Sequence, residues 1–297
     1  MKNVDGISAF TTDEAERRFA AAYRQGFADL WPEPAVPIPV ATSYGEAVAY
    51  RLGPAEGVPI VLLPGSGGNA LTWYRYVEAL ADRHPVIALD PIGEPGGATQ
   101  TRPIRDAGDV AAALEETLAG LGVERAHLVG MSYGGWALLR HELAFPGRAA
   151  SLTLLDPGGL GRLGARFWIW LVGGAVAGLT PGPLRRRLSH LVRNAVLRDD
   201  ALMVFLPLIM KFRRRQPMPD ALTDADLAAL TVPTLIMMGE HSALYRPEAV
   251  AERLRRVLPA ARVEIVPGAS HDLPAHSPYV VAARIAEMVS PAQRRGN

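Results

Sequence analysis

Residues 127–139 read HLVGMSYGGWALL, and this stretch decides how the chain folds. Its opening residues, with Ala126, form a short apolar run that closes at Gly130; from Gly134 onward the pattern suits a helix. A strand therefore turns sharply into a helix through Gly130-Met131-Ser132-Tyr133-Gly134. A serine on such a turn needs small residues two before and two after it, because the backbone packs tightly around a strained position. The Ser132 hydroxyl is lifted above the sheet edge, with the helix N-terminus aimed at it. The bare Gly-x-Ser-x-Gly pattern is weak in a chain with 29 glycines. The flanking strand and helix give it weight over an ordinary helix-capping serine.

Outward from this turn the same rhythm repeats. The runs at 60–65 (IVLLPG), 85–90 (PVIALD), 126–132, 151–156 (SLTLLD), 234–239 (TLIMMG) and 262–268 (RVEIVPG) are continuous apolar stretches closed by Gly, Pro, Asp or Ser. They read as strands buried on both faces. Helical patterns fill 70–82, 106–121, 134–145, 247–257 and 275–289. Alternation of this kind implies right-handed crossovers and an α/β fold with a doubly wound, mostly parallel sheet. From Leu160 to about Leu230 no strand signal occurs, which suggests a helical cap inserted over the carboxyl ends of the strands, where ligands bind. The expected organisation is a core of residues 1–159 and 231–297, with the cap at 160–230. Residues 1–43 supply an N-terminal helix and an extended arm, the helix opened by the Thr11-x-x-Glu14 capping box of TTDEAERR.

On these residues the chain resembles the α/β-hydrolase fold superfamily, over about residues 44–290 apart from the cap. LLPGSGGNALTWY resembles the loop that builds half of the family's oxyanion hole, with Pro64-Gly65 where His-Gly is usual. ALDPIGEPGGAT resembles the loop after the next strand, with Asp90 and Gly93 in their usual places. VPGASHDLPAHSP resembles the segment that delivers the catalytic histidine. The resemblance implies Ser132 as nucleophile, His271 as base, and the backbone N–H groups of Ser66 and Tyr133 as oxyanion donors.

The acid is less plain. The family commonly carries it three residues after the glycine of the strand at 234–239, and that position is Ser242. A serine accepts a hydrogen bond but offers no charge to an imidazolium. Two acids keep the order serine, acid, histidine. Asp156 ends SLTLLD, a place where some α/β hydrolases, haloalkane dehalogenases and certain lipases among them, carry it. Glu240 is the near substitute. A third possibility is that no working acid is present, or that Asp156 only turns the chain toward the cap.

The chain has 297 residues, no cysteine and a net charge of +1. Disulfides and thiolate metal sites are excluded, and no His-Glu-x-x-His is present, so neither a metal nor another cofactor is implied. There is no signal-peptide core, and FWIWLVGGAVAGL (167–179) is shorter than the ~20 residues of a membrane span; a cytoplasmic location is expected. Residues 160–220 hold eleven Arg/Lys against three Asp. This basic cap could touch an anionic surface or a carrier, although a solvated helix face without a dedicated partner is the simpler reading. No recognition motif supports nucleic-acid binding. Trp168 and Trp170 of the cap, with Trp73 and Tyr74, are candidates for a hydrophobic substrate pocket, or else for packing within the cap itself.

The expected function is a carboxylesterase-like serine hydrolase cleaving an ester, thioester or related acyl bond of a small, hydrophobic molecule through an acyl-enzyme. The alternatives are a non-hydrolytic member (lyase or perhydrolase) and a catalytically weak ligand-binding or scaffold protein.

Overall fold

The computed structural model describes residues 6–290. Eight strands form one sheet: β1 (Ile38–Thr42), β2 (Gly45–Leu52), β3 (Ile60–Leu63), β4 (Val86–Asp90), β5 (Ala126–Met131), β6 (Ala149–Leu155), β7 (Thr234–Gly239) and β8 (Arg262–Val266). A two-residue strand, Thr99–Gln100, adds to the start of β2. The order across the sheet is β1-β2-β4-β3-β5-β6-β7-β8. β2 runs antiparallel to both neighbours, and every other pair in this order is parallel.

The apolar runs are continuous because both faces of the sheet are covered. Successive side chains point to opposite faces, so Ile60 and Leu62 enter one core while Val61 and Leu63 enter the other. Burying each such side chain contributes about 2 kcal/mol. The first core is filled by α1 (Asp13–Leu30), α2 (Tyr74–Ala81) and α8 (Pro278–Val289), the second by α3 (Ala107–Gly120), α4 (Tyr133–Ala144) and α7 (Pro247–Val257). The sheet is therefore wound on both sides, as expected.

Several details differ from the expectation. The helix expected at 275–289 is broken: a turn at Leu273–His276 precedes α8, since Pro278 lacks an N–H and disfavours helix at Ser277. The helix expected at 70–82 opens with a 3-10 turn, Ala70–Trp73. No Thr11–Glu14 capping box forms. Thr12 is the N-cap, its side chain accepting from Ala15 N, and Glu14 instead pairs with Arg17 at 2.9 Å. The extended arm ends in a sheet strand, β1, whose Pro39 is tolerated because β1 lies at the sheet edge.

Between β6 and β7 the chain leaves the sheet. Its main helices are α5 (Ala165–Gly178) and α6 (Gly182–Leu191), followed by short helical turns. Contrary to the expectation of no strand in this interval, Phe212–Arg213 pairs antiparallel with Ala9–Phe10. This tie joins the start of the described chain to the segment after α6.

Candidate active site

Ser132 sits between β5 and α4 with φ 51° and ψ −113°, a conformation that costs a non-glycine residue of order 1–3 kcal/mol. Its surroundings hold it there. Ser132 N donates to Leu155 O at 3.0 Å, and Ser132 O accepts from Trp136 N and Gly158 N. The two flanking glycines are required by close approach. A Cβ on Gly134 would lie 2.4 Å from Pro64 O, and one on Gly130 would lie 2.7 Å from Leu138 Cδ1.

His271 lies in the loop after β8 and is almost fully buried. Its Nε2 is 2.9 Å from Ser132 Oγ, and its Nδ1 is 2.8 Å from Asp156 Oδ2. Asp156 follows β6, is fully buried, and has φ 42°; its N–H is anchored on Met237 O at 2.7 Å. A carboxylate on Nδ1 favours the tautomer with hydrogen there, leaving Nε2 free to accept from the serine hydroxyl. Phe167 and Trp170 stand nearly perpendicular to the imidazole, with ring centroids 6.3 and 5.2 Å away. Both rings come from α5 and shield the histidine from water.

The fully buried Ser242 donates from Oγ to Asp156 Oδ2 at 2.8 Å, the same oxygen that faces His271. Glu240 turns away, its Oε2 accepting from Gly268 N at 2.7 Å. Of the two candidate acids, then, Asp156 alone is brought to His271.

Ser66 and Tyr133 line the same cavity as Ser132 and His271. Among the described residues, the backbone N–H groups of Ser66 and Tyr133 donate no hydrogen bond. The loop carrying Ser66 is held from two sides. Glu94 Oε2 accepts from Gly67 N at 2.7 Å, and Asp90 Oδ1 accepts from Ala70 N at 2.8 Å and from the Tyr23 hydroxyl at 2.7 Å. Burial pushes the Asp90 carboxyl up to about 6, against the opposing pull of these donors and of Gly97 N. Burial also raises the Glu94 carboxyl and pushes the Tyr133 phenol well up. Glu94 Oε1 pairs with Arg214 Nε at 2.6 Å, and the Arg214 guanidinium lies 4.3 Å from the centroid of the Tyr133 ring. This Glu94–Arg214–Tyr133 cluster was not legible in the sequence, where Arg214 is one of three consecutive arginines.

The cavity over Ser132 has a volume of about 380 Å³, with Trp168, Trp170, Leu171 and Leu244 among its apolar walls. A second cavity of about 220 Å³ adjoins it across Gly65, Ser66 and Met131 and takes in Tyr74. Trp73 does not reach either. The 3-10 turn directs it inward, where it is fully buried edge-on to Tyr76 at 5.6 Å. Among the described residues no group of three or more His, Asp or Glu is arranged to hold a metal ion.

The sequence model of a family described as the alpha/beta hydrolase family matches residues 60–284. Carboxylesterase YbfK of Bacillus subtilis is 27% identical to this chain, over 93% of this chain and 95% of the relative. Among solved structures, carboxylesterase CesB (YbfK) from B. subtilis superposes with a TM-score of 0.80 at 23% identity, covering 93% of this chain and 99% of that one. Naproxen esterase (carboxylesterase NP) from B. subtilis gives 0.81 at 23% identity, covering 93% and 98%. At that identity these structures speak for the fold.

Proposed function

Because the chain belongs to the alpha/beta hydrolase family, we propose that it is a serine carboxylesterase in which Ser132, His271 and Asp156 form the catalytic triad and residues 160–230 act as a cap. The reading rests on one observation above all: an unbroken hydrogen-bond chain from Ser132 Oγ through His271 to Asp156, opening onto an apolar cavity. The full-length likeness to a carboxylesterase supports the ester as substrate.

In this scheme His271 Nε2 takes the hydroxyl proton as Ser132 Oγ attacks the ester carbonyl carbon. The negative charge moves to the carbonyl oxygen, where the N–H groups of Ser66 and Tyr133 receive it; one such donor is worth about 10²–10³ in rate. The imidazolium is stabilised by Asp156. It then returns its proton to the departing alcohol oxygen, leaving an acyl group on Ser132. A water deprotonated by His271 Nε2 attacks that acyl carbon, and the same oxyanion donors act again. The apolar walls favour a hydrophobic acyl or alcohol portion.

Ser242, whose identity argued for a non-catalytic protein, is hydrogen-bonded to the proposed acid, and this favours the esterase. The test is turnover of p-nitrophenyl butyrate and labelling by a fluorophosphonate. Ser132→Ala is expected to abolish both. A Ser132→Ala protein that keeps either one overturns the assignment.

A further inference from the structure

Helix α5 is apolar on the side that water sees. Its inner residues Phe167, Trp170 and Gly174 line the cavity over Ser132. Its exposed residues are Ala165, Arg166, Trp168, Ile169, Leu171, Val172 and Val176, of which Trp168 and Leu171 also line the cavity, continuing to Leu179 just past its end. Ala165, Ile169, Val172, Val176 and Leu179 recur at the three- and four-residue spacing of one helix face; Arg166 lies beside that face and donates to Ser242 O at 2.9 Å. Ile169 is 71% exposed, Val172 60% and Val176 61%. A helix on a water-facing surface ordinarily puts charges on that side. A continuous exposed apolar face marks an interaction site.

The flanking charge indicates the partner. Helix α6 exposes Leu184 and Leu191 with Arg186 and Arg187 between them, and Arg193 and Arg198 follow. Asp200 pairs with Arg185 and Arg186, and Asp199 is taken by Arg75. Among the described residues, Arg187, Arg193 and Arg198 have no carboxylate partner. An apolar helix face beside unpaired arginines is complementary to a layer of anionic headgroups over acyl chains. It does not suit a second copy of this chain, because a two-fold contact sets each patch against itself and would oppose like charges.

We propose that the outer face of α5, with the arginines of α6 and the turn after it, docks onto an anionic lipid surface. Ester substrate then reaches Ser132 from that surface beneath α5, a second step that rests on the esterase reading.

The experiment is co-sedimentation with vesicles of phosphatidylglycerol and phosphatidylcholine, against phosphatidylcholine alone, at about 0.1 M salt, where the Debye length is about 10 Å. The expected result is at least ~10-fold tighter binding to the anionic vesicles, weakened ~10-fold in Ile169→Glu/Val172→Glu and in Arg187→Glu/Arg193→Glu. Both variants change exposed positions away from the reacting groups, so their turnover of soluble p-nitrophenyl butyrate stays near wild type. Binding to neither vesicle, or equal binding to both, overturns the proposal. So does a wild-type dimer that Ile169→Glu/Val172→Glu dissociates. Sedimentation needs no turnover, so lost binding with hydrolysis intact refutes only the docking. Binding without hydrolysis refutes only the esterase reading.

Discussion

Ser242 Oγ and His271 Nδ1 meet the same oxygen of Asp156, each at 2.8 Å. The serine at the position that suggested a missing acid is therefore bound to a carboxylate supplied by the neighbouring strand. If Asp156 orients His271, Asp156→Asn is expected to lower kcat by about three to four orders of magnitude. An aspartate at 242 reaches toward the space that Asp156 Oδ2 holds now. The double variant Asp156→Asn/Ser242→Asp should thus recover at least ~10-fold over Asp156→Asn alone. Steady-state kinetics on one soluble ester checks both. Recovery absent from the double variant, in a protein that still melts cooperatively, counts against interchangeable acids.

Glu240 is engaged with Gly268 N on the turn after β8. Glu240→Gln keeps an acceptor there and is expected to leave kcat/KM within about twofold of wild type. A loss of a hundredfold would return the acid to that position.

Glu94 joins the oxyanion loop to Arg214, and Arg214 covers Tyr133. Glu94→Ala frees Gly67 N and leaves a mostly buried guanidinium unpaired, at a cost to stability of about 3–5 kcal/mol. Its kcat should fall by ~10-fold or more with KM changed less, because the loss concerns groups that meet charge only in the transition state. Glu94→Gln, which keeps an acceptor for Gly67, should recover part of kcat. Thermal melting and a kcat-against-KM comparison separate the two effects.

Asp90 gives a pH signature. Burial holds its carboxyl up at about 6 in the folded protein, against an ordinary 3.8. Between those values the folded state binds the proton and the unfolded state does not. Stability from this group is therefore fully present below about pH 4 and declines as pH rises to about 6. Asp90→Asn removes that slope. Melting curves of both proteins at pH 4, 5 and 6 check it; parallel curves would contradict the assignment.

Much of the fold was readable because each central strand is apolar on both faces and each flanking helix on one. Those periods differ, and the residues obey them. β1 was less legible, since Pro39 and a run of five residues with only Val40 buried make an edge strand look like loop. The elbow, the histidine loop and the strand-end position of Asp156 are local patterns, visible as spacing. The partners of those residues are not. Ser242 and Asp156 are separated by 86 positions, and Glu94 and Arg214 by 120. Only the packing of distant loops brings them together. Trp73 shows a local limit: a 3-10 turn in place of an α-helical one rotated it into the core. In α5 residues on every side are apolar, so no period separated the cavity face from the outer one.

The pairing of Ala9–Phe10 with Phe212–Arg213 bears on how the protein is made. Residues 9–10 have their partner some 200 residues later, and at ~5–20 residues per second that is a wait of about 10 to 40 s. During that interval Phe10 has only nearby aromatics such as Phe19, 4.9 Å from it in the finished fold, to shelter against. The tie that fastens the roof of the cavity to residues 9–10 can thus form before β7, β8 and the His271 loop have been synthesised. Until those segments follow, a nascent chain carries a fastened roof over an unfinished core.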